Sequence, residues 1–313
     1  MIFNKPDFWD KEKNLISFIL YPFSLIFLII VFLRKKFILK KSFKTPIICI
    51  GNIYLGGTGK TPSSIYIAKE LKKLGKKPVI IRKFYPAHAD EYKLIKSNFE
   101  NILLNSNRSI GIKEAEKKKF KTMILDDGFQ DYRIKKDLNI ICFNSNQLVG
   151  NGLALPAGPL RESLNSLKEA DLILINGKKN IKFEKKILLI NKKLDVFYTN
   201  YKPINPKKFK GKKLMAIAGI GNPNNFFKLL SDLKLKIVKK FIFPDHYQFK
   251  KKEILSIIGE AKKNNCEIIM TEKDFFKIKK FNLKSLNYLK ISLEINNKKK
   301  FLNRILRIYA KKN

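Results

Sequence analysis

The chain has 313 residues, enough for two ordinary domains that each bury a core, and it carries a formal net charge of +40 at pH 7. Only seven of its 66 basic residues are arginine, so the excess is a lysine bias; it suits an anionic membrane surface, while nucleic-acid recognition would lean on arginine. Cys49, Cys142 and Cys266 lie in apolar strand-like runs with no CxxC pair, which argues against a zinc module or a disulfide framework and for buried thiols in a reducing compartment.

From the N-terminus, Leu15 to Leu33 is apolar apart from Ser17, Tyr21, Pro22 and Ser24. A helix over that run is about 28 Å long, close to the hydrocarbon thickness of a bilayer. The run has no evident polar face, which predicts a membrane segment rather than a core helix. Arg34, Lys35, Lys36, Lys40, Lys41 and Lys44 follow it, and no small-residue cleavage site does, so it does not read as a signal peptide. The positive-inside rule then leaves everything beyond Lys36 in the cytoplasm. Pro22 keeps a segment that dips into one leaflet as the alternative to a full span.

Ile47 to Ile50 reads as a buried strand, followed by Gly51, Gly56, Gly57 and Gly59, then Lys60 and Thr61, then a helical pattern. That order builds a phosphate cradle. Glycines let backbone N–H groups approach an anion, the helix N-terminus adds positive charge, Lys60 reaches the β- and γ-phosphates, and Thr61 is placed to ligate Mg²⁺. The nucleotide-binding candidates are Gly56, Gly57, Thr58, Gly59, Lys60 and Thr61. Tyr54 stands at the first glycine position of GxxxxGK[ST], and a plain glycine-rich turn is the alternative.

Ile65, Ala68, Leu71 and Leu74 continue at helical spacing, and Gly75 is a natural stop. Strands are predicted at Pro78 to Ile81, Thr122 to Leu125, Leu138 to Phe143, Leu172 to Ile175 and Ile187 to Ile190, with helix-length polar segments such as Gly111 to Lys119 between them. The alternation predicts an α/β fold with a parallel sheet covered on both faces. Tyr198 to Lys213, with Pro203 and Pro206, reads as a linker. A second αβ series follows, with strands at Leu214 to Ala218, Lys236 to Ile242, Glu267 to Met270 and Tyr288 to Leu293, before a closing basic helix. The predicted layout is an N-terminal membrane anchor over 1–40, a P-loop NTPase-type domain over 41–200, and a smaller C-terminal α/β domain with its linker over 201–313.

Four further motifs can carry chemistry. Asp126 and Asp127 end an apolar strand, where a P-loop fold puts its second Mg²⁺ contact; a helix N-cap beside a solvated neighbour is the alternative. The stretch from Gly150 to Ser163, ending in Arg161 and Glu162, is a shaped loop that can lie over a ligand or be only a connector. Asp90 lies in Ala89-Asp90-Glu91-Tyr92, after the basic turn Arg82-Lys83. His246 follows a second-domain strand, where open αβ sheets keep their ligand crevice; a structural histidine is the alternative. Thr271 to Asp274 follows another strand and reads as a helix cap.

Read together, GNIYLGGTGKTP, ADEYKLI, LDDGFQDYR, NGLALPAGPLRE, AIAGIGNPNNFF, FPDHYQF and TEKDFFK resemble, in that order, the tetraacyldisaccharide 4'-kinases of Gram-negative inner membranes. The resemblance covers essentially the whole chain. It implies two domains that close about a linker, and transfer of the ATP γ-phosphate, with Mg²⁺, to the 4'-hydroxyl of an acylated glucosamine disaccharide 1-phosphate. Asp90 and His246 match the family's catalytic pair, joined in the site by Lys60, while Asp126, Asp127 and Glu162, with Thr61, match positions tied to Mg²⁺. The implied partners are the acylated disaccharide lipid and the inner membrane, with the catalytic domains on the cytoplasmic side, no nucleic acid, and a monomeric enzyme. The chain departs from the family where SRGYG reads IRKFYPA, and where Ala89 and Tyr92 replace a glycine and a proline. A different membrane-tethered P-loop enzyme, or a basic nucleic-acid-binding ATPase, are the competing readings.

Overall fold

A computed structural model describes residues 5–12, 14–245 and 247–310. In chain order its helices and strands are α1 (Leu15–Phe37), β1 (Ile47–Gly51), α2 (Lys60–Lys73), β2 (Pro78–Lys83), α3 (Ala89–Asn98), β3 (Ile102–Asn105), α4 (Arg108–Lys117), β4 (Thr122–Asp126), β5 (Leu138–Asn144), β6 (Leu172–Asn176), α5 (Ile181–Ile190), β7 (Asp195–Pro203), β8 (Lys213–Ala218), α6 (Pro223–Asp232), β9 (Lys236–Ile242), α7 (Lys251–Lys263), β10 (Glu267–Thr271), α8 (Glu272–Ile278), β11 (Leu286–Leu289), β12 (Ile291–Ile295) and α9 (Lys298–Ala310).

The strands form two sheets. One runs β12-β7-β6-β5-β1-β4-β2-β3, with parallel pairing at every junction from β7 to β3. Its central strand β1 is wholly buried, as a strand covered on both faces must be, and it pairs with β4 on one side and β5 on the other. The chain order reverses there, so the crevice beyond the carboxyl end of β1 is the natural ligand site. The second sheet, β11-β10-β8-β9, is also parallel throughout.

By contacts the chain divides into two compact units. One comprises residues 5–84, 101–200 and 293–310, the other residues 85–100 and 201–292. The segment bearing Asp90 therefore clusters with the second sheet, although its sequence position lies between two strands of the first. Each unit has its own apolar core. Ile47, Cys49, Val79, Met123, Ile141 and Ile173 belong to the first, and Met215, Ile217, Ile254, Ile268 and Met270 to the second.

Three sequence expectations are corrected. Ile187 to Ile190 is the last turn of α5, not a strand. Asn180 caps that helix by accepting from Phe183 N at 2.9 Å, and Phe183 and Ile187, four apart, bury one face. A four-residue apolar run alone does not separate the two states. The strand comes next, as β7, and occupies part of the expected linker; Phe197 and Thr199 point inward at period two. Tyr288 to Leu293 splits into β11 and β12, which belong to different sheets.

α1 also differs from its sequence reading. Ser17 and Ser24, seven residues apart, are buried against the first unit, whereas Leu15, Phe18, Ile26, Ile29 and Phe32 are exposed. Asn151 Nδ2 donates to Ser17 Oγ at 3.1 Å, Ser24 Oγ donates to Ala154 O at 2.9 Å, and Ala157 N donates to Ser24 Oγ at 3.0 Å. At the far end Lys35 lies 3.0 Å from Glu169. A polar face thus exists, and it is the protein-facing one.

Candidate active site

The turn from β1 into α2 is held open by its own side chains. Asn52 Nδ2 donates to the carbonyls of Tyr54 and Gly56 and to Thr58 Oγ1, while Leu55 N donates to Pro159 O at 2.8 Å and Arg161 N to Ile53 O at 2.7 Å. The Gly150 to Ser163 stretch is therefore packed directly along this turn. Gly59, the N-cap of α2, has φ +90°, a conformation that a side chain would strain. Tyr54, at the position a glycine usually takes, is buried in the core.

Lys60 and Thr61 open α2, and the two carboxylates at the end of β4 meet them differently. Thr61 Oγ1 donates to Asp126 Oδ2 at 3.1 Å, Ser64 Oγ donates to Asp126 Oδ1 at 2.9 Å, and the Arg82 guanidinium pairs with Asp126 and donates to Thr61 Oγ1 at 3.2 Å. Lys60 Nζ lies 3.6 Å from Asp127 Oδ1, and Arg161 Nη1 donates to the same oxygen at 3.1 Å. Asp127 has φ +55°, a left-handed conformation uncommon outside glycine, which turns its side chain away from the strand's alternation. Arg108 Nη2 donates to the Asp127 carbonyl at 2.6 Å and fixes that turn. Glu162 is buried, accepts from Gln130 Nε2 at 3.0 Å and lies 3.8 Å from Lys35.

Burial alone would raise the Asp127 pKa, but Lys60, Arg161, Arg82 and Arg108 hold it well below the usual carboxylate range. Lys60 moves downward because burial penalises its charge; the Asp127 and Asp126 carboxylates oppose that shift, and Arg161 and Arg82 add to it. Glu162 is pushed up, chiefly by burial, against the pull of Lys35, Gln130 and Tyr132. An anion arriving beside Lys60 would oppose the burial penalty and favour its ionised form.

The structure brings Gly56, Gly57, Thr58, Gly59, Lys60, Thr61, Asp126 and Asp127 to one edge of the first sheet. Asp90 belongs to the other unit, in the first turn of α3, where it is buried. His246 lies outside the described residues. Among those residues, no group of three or more His, Cys, Asp and Glu side chains is arranged to hold a metal ion. One carboxylate and one hydroxyl, Asp126 and Thr61, meet at 3.1 Å. Sequence reading did not assign Arg82, Arg108, Arg161, Ser64 or Gln130 to the site. A signal was present: in a chain whose default cation is lysine, three of the seven arginines converge on two aspartates.

A family profile described as "Tetraacyldisaccharide-1-P 4'-kinase" matches residues 16–310. The chain is 40% identical over 315 residues to a tetraacyldisaccharide 4'-kinase of Pelagibacter ubique, covering 99% of this chain and 100% of that protein. It is 35% identical over 323 residues to the enzyme of that name from Francisella tularensis subsp. novicida, covering 92% of this chain and 98% of the relative. In fold it is similar to a crystal structure of LpxK from Aquifex aeolicus in complex with ATP, with a TM-score of 0.71 at 24% identity, covering 94% of this chain and 99% of that one.

Proposed function

Because the chain belongs to the tetraacyldisaccharide 4'-kinase family, we propose that it transfers the γ-phosphoryl group of ATP to the 4'-hydroxyl of an acylated glucosamine disaccharide 1-phosphate, a step of lipid A biosynthesis. The observation that carries this reading is the junction of β1 and α2, where the Lys60 ammonium and the Thr61 hydroxyl stand beside the two carboxylates that end β4. Phosphoryl transfer needs little covalent chemistry from a protein; it needs positioned positive charge and a proton acceptor. The backbone of Gly56 to Thr61 and the N-terminus of α2 bind the phosphates, and Lys60 and Arg161 supply charge where negative charge shifts during transfer. The acceptor oxygen bonds to the γ-phosphorus, the bond to the bridging oxygen of ADP breaks, and the hydroxyl proton passes to the Asp90–His246 pair.

Oxygen donors suit Mg²⁺, which is commonly held through one or two carboxylates together with phosphates, and the 3.1 Å approach of Thr61 to Asp126 fits that chemistry. Thr61 and Asp126 are its proposed ligands; the resemblance adds Asp127 and Glu162, which do not gather with Asp126 into a metal-holding group among the described residues. When bound, the ion screens the phosphate oxygens.

The acceptor's acyl chains keep it in a bilayer, so the enzyme must work at the membrane, here the inner membrane, with both units on the cytoplasmic side. α1 is the anchor, because its large apolar side chains face outward while its serines face the protein. Ser17 near one end and Lys35 near the other both touch the same unit, which supports a helix lying in one leaflet rather than crossing. A monomer is the proposed working form, because all the site residues named here can come from one chain. The test is ATP turnover by purified protein in mixed micelles with MgCl₂. Turnover is expected only when the micelles contain an acylated glucosamine disaccharide 1-phosphate; hydrolysis indifferent to that lipid, or stimulated by nucleic acid instead, contradicts the reading.

A further inference from the structure

The Thr271 to Asp274 motif does more than cap a helix. As N-cap of α8, Thr271 needs only its hydroxyl, which accepts from Asp274 N at 3.1 Å. Yet Asp274 is fully buried and accepts from Gly219 N at 2.8 Å and from Thr271 Oγ1 at 2.7 Å. Lys277, one turn on and also buried, donates to Asp274 Oδ1 at 2.9 Å and to Gly219 O at 2.9 Å, and packs on the Phe249 ring. A buried ion pair adds little stability over apolar residues of the same size, so a cap alone leaves it unexplained.

An ammonium has three N–H donors, and these two bonds use two of them. The Lys277 Nζ is 3.9 Å from Asp90 Oδ2, a buried oxygen that accepts no hydrogen bond among the described residues. On the same helix, Lys273 Nζ lies 3.0 Å from Glu91 Oε1 and 3.1 Å from Asp245 Oδ1. Glu91 follows Asp90 in sequence, and Asp245 precedes His246. Glu272 accepts from Asn98 Nδ2 at 3.1 Å, at the other end of α3. All these residues belong to the same unit.

We propose that α8 positions Asp90, the carboxylate of the proton-accepting pair. Lys273 ties Glu91, beside Asp90 in α3, to Asp245, and Lys277, braced by Asp274 and Gly219, holds the Asp90 carboxylate in place. The proposal rests on the reading of Asp90 as one member of that pair. Lys273 and Lys277 are thereby positioning residues, acting through Asp90.

The experiment measures kcat and KM for ATP in the full chain, with an acylated glucosamine disaccharide 1-phosphate as acceptor, and corrects each variant for its folded fraction by thermal unfolding. Lys277→Met and Lys273→Met are each expected to lower kcat on the order of ten- to a hundredfold, the scale of a slightly misplaced catalytic group, with KM for ATP unchanged. In an Asp90→Asn background, Lys277→Met is expected to lower kcat no further. Wild-type kcat in folded Lys277→Met, or a loss that multiplies fully with that of Asp90→Asn, overturns the proposal. If Lys277→Met does not fold, half-buried Lys273 decides: wild-type kcat in Lys273→Met overturns it. Wild-type turnover in Asp90→Asn alone would instead remove the reading of Asp90 on which it rests.

Discussion

Asp126 and Asp127 are neighbours with different partners, and backbone conformation separates them. Asp126 continues the strand and is enclosed by Thr61, Ser64 and Arg82; Asp127, at φ +55°, turns towards Lys60 and Arg161. Because the folded-state pKa of Asp127 is depressed, its charge contributes stability above its unfolded value of about 4, and the contribution fades as pH falls below that. Asp127→Asn should therefore start less stable at pH 7 but lose less on acidification, so that its unfolding temperature converges on that of the wild type below roughly pH 4. Parallel curves over that range would show that the cations around Asp127 do not hold its charge. That the adjacent carboxylates need partners was legible in the sequence, because two charges at the end of a buried strand are costly to leave alone. Which cations answer them was not, since Arg82, Arg108 and Arg161 are distant in sequence from one another and meet only through sheet order.

At the scale of elements, α1 shows how an apolar pattern can mislead. Its composition predicts a membrane segment with no polar face, yet Ser17 and Ser24 line a face that hydrogen-bonds the 151–157 loop. Serine is small and weakly polar, so a hydropathy reading passes over it, while at seven-residue spacing it marks one side of a helix. A helix held to one unit near both ends should present both flanks on the same side of the bilayer. Lys11→Cys and Lys36→Cys, both exposed positions, test this in sealed vesicles with a membrane-impermeant thiol reagent. Background labelling is low: burial pushes the Cys49 thiol up to about 11 and the Cys142 thiol up to about 12, and Cys266 is replaced by Ser. Both sites should label from the cytoplasmic side, whereas labelling from opposite sides would establish a span. α5 and β7 show the complementary limit, because helix and strand share short apolar runs and only the cap at Asn180 separates them.

For the whole molecule, the local signals were the reliable ones. The glycine-rich turn, the paired aspartates and the alternation of strands and helices are set by neighbours in sequence; they carry the α/β class that the fold shows and the phosphate site that is proposed. Membership of a unit is not local. Residues 85–100 are flanked on both sides by strands of the first sheet but cluster with the second, so the chain passes between units more than once rather than through a single linker. The lysine excess adds a general attraction to anionic surfaces without specifying a substrate. The most direct test of the assigned activity is the position of the new phosphate, read by phosphorus–proton correlation NMR on the lipid recovered after incubation with ATP and MgCl₂. The wild-type chain should yield one new phosphomonoester coupled to the 4' proton of the distal glucosamine, and Lys60→Ala should reduce it by roughly a hundredfold or more. A phosphate at any other position, release of inorganic phosphate alone, or a product unaffected by Lys60→Ala would contradict it.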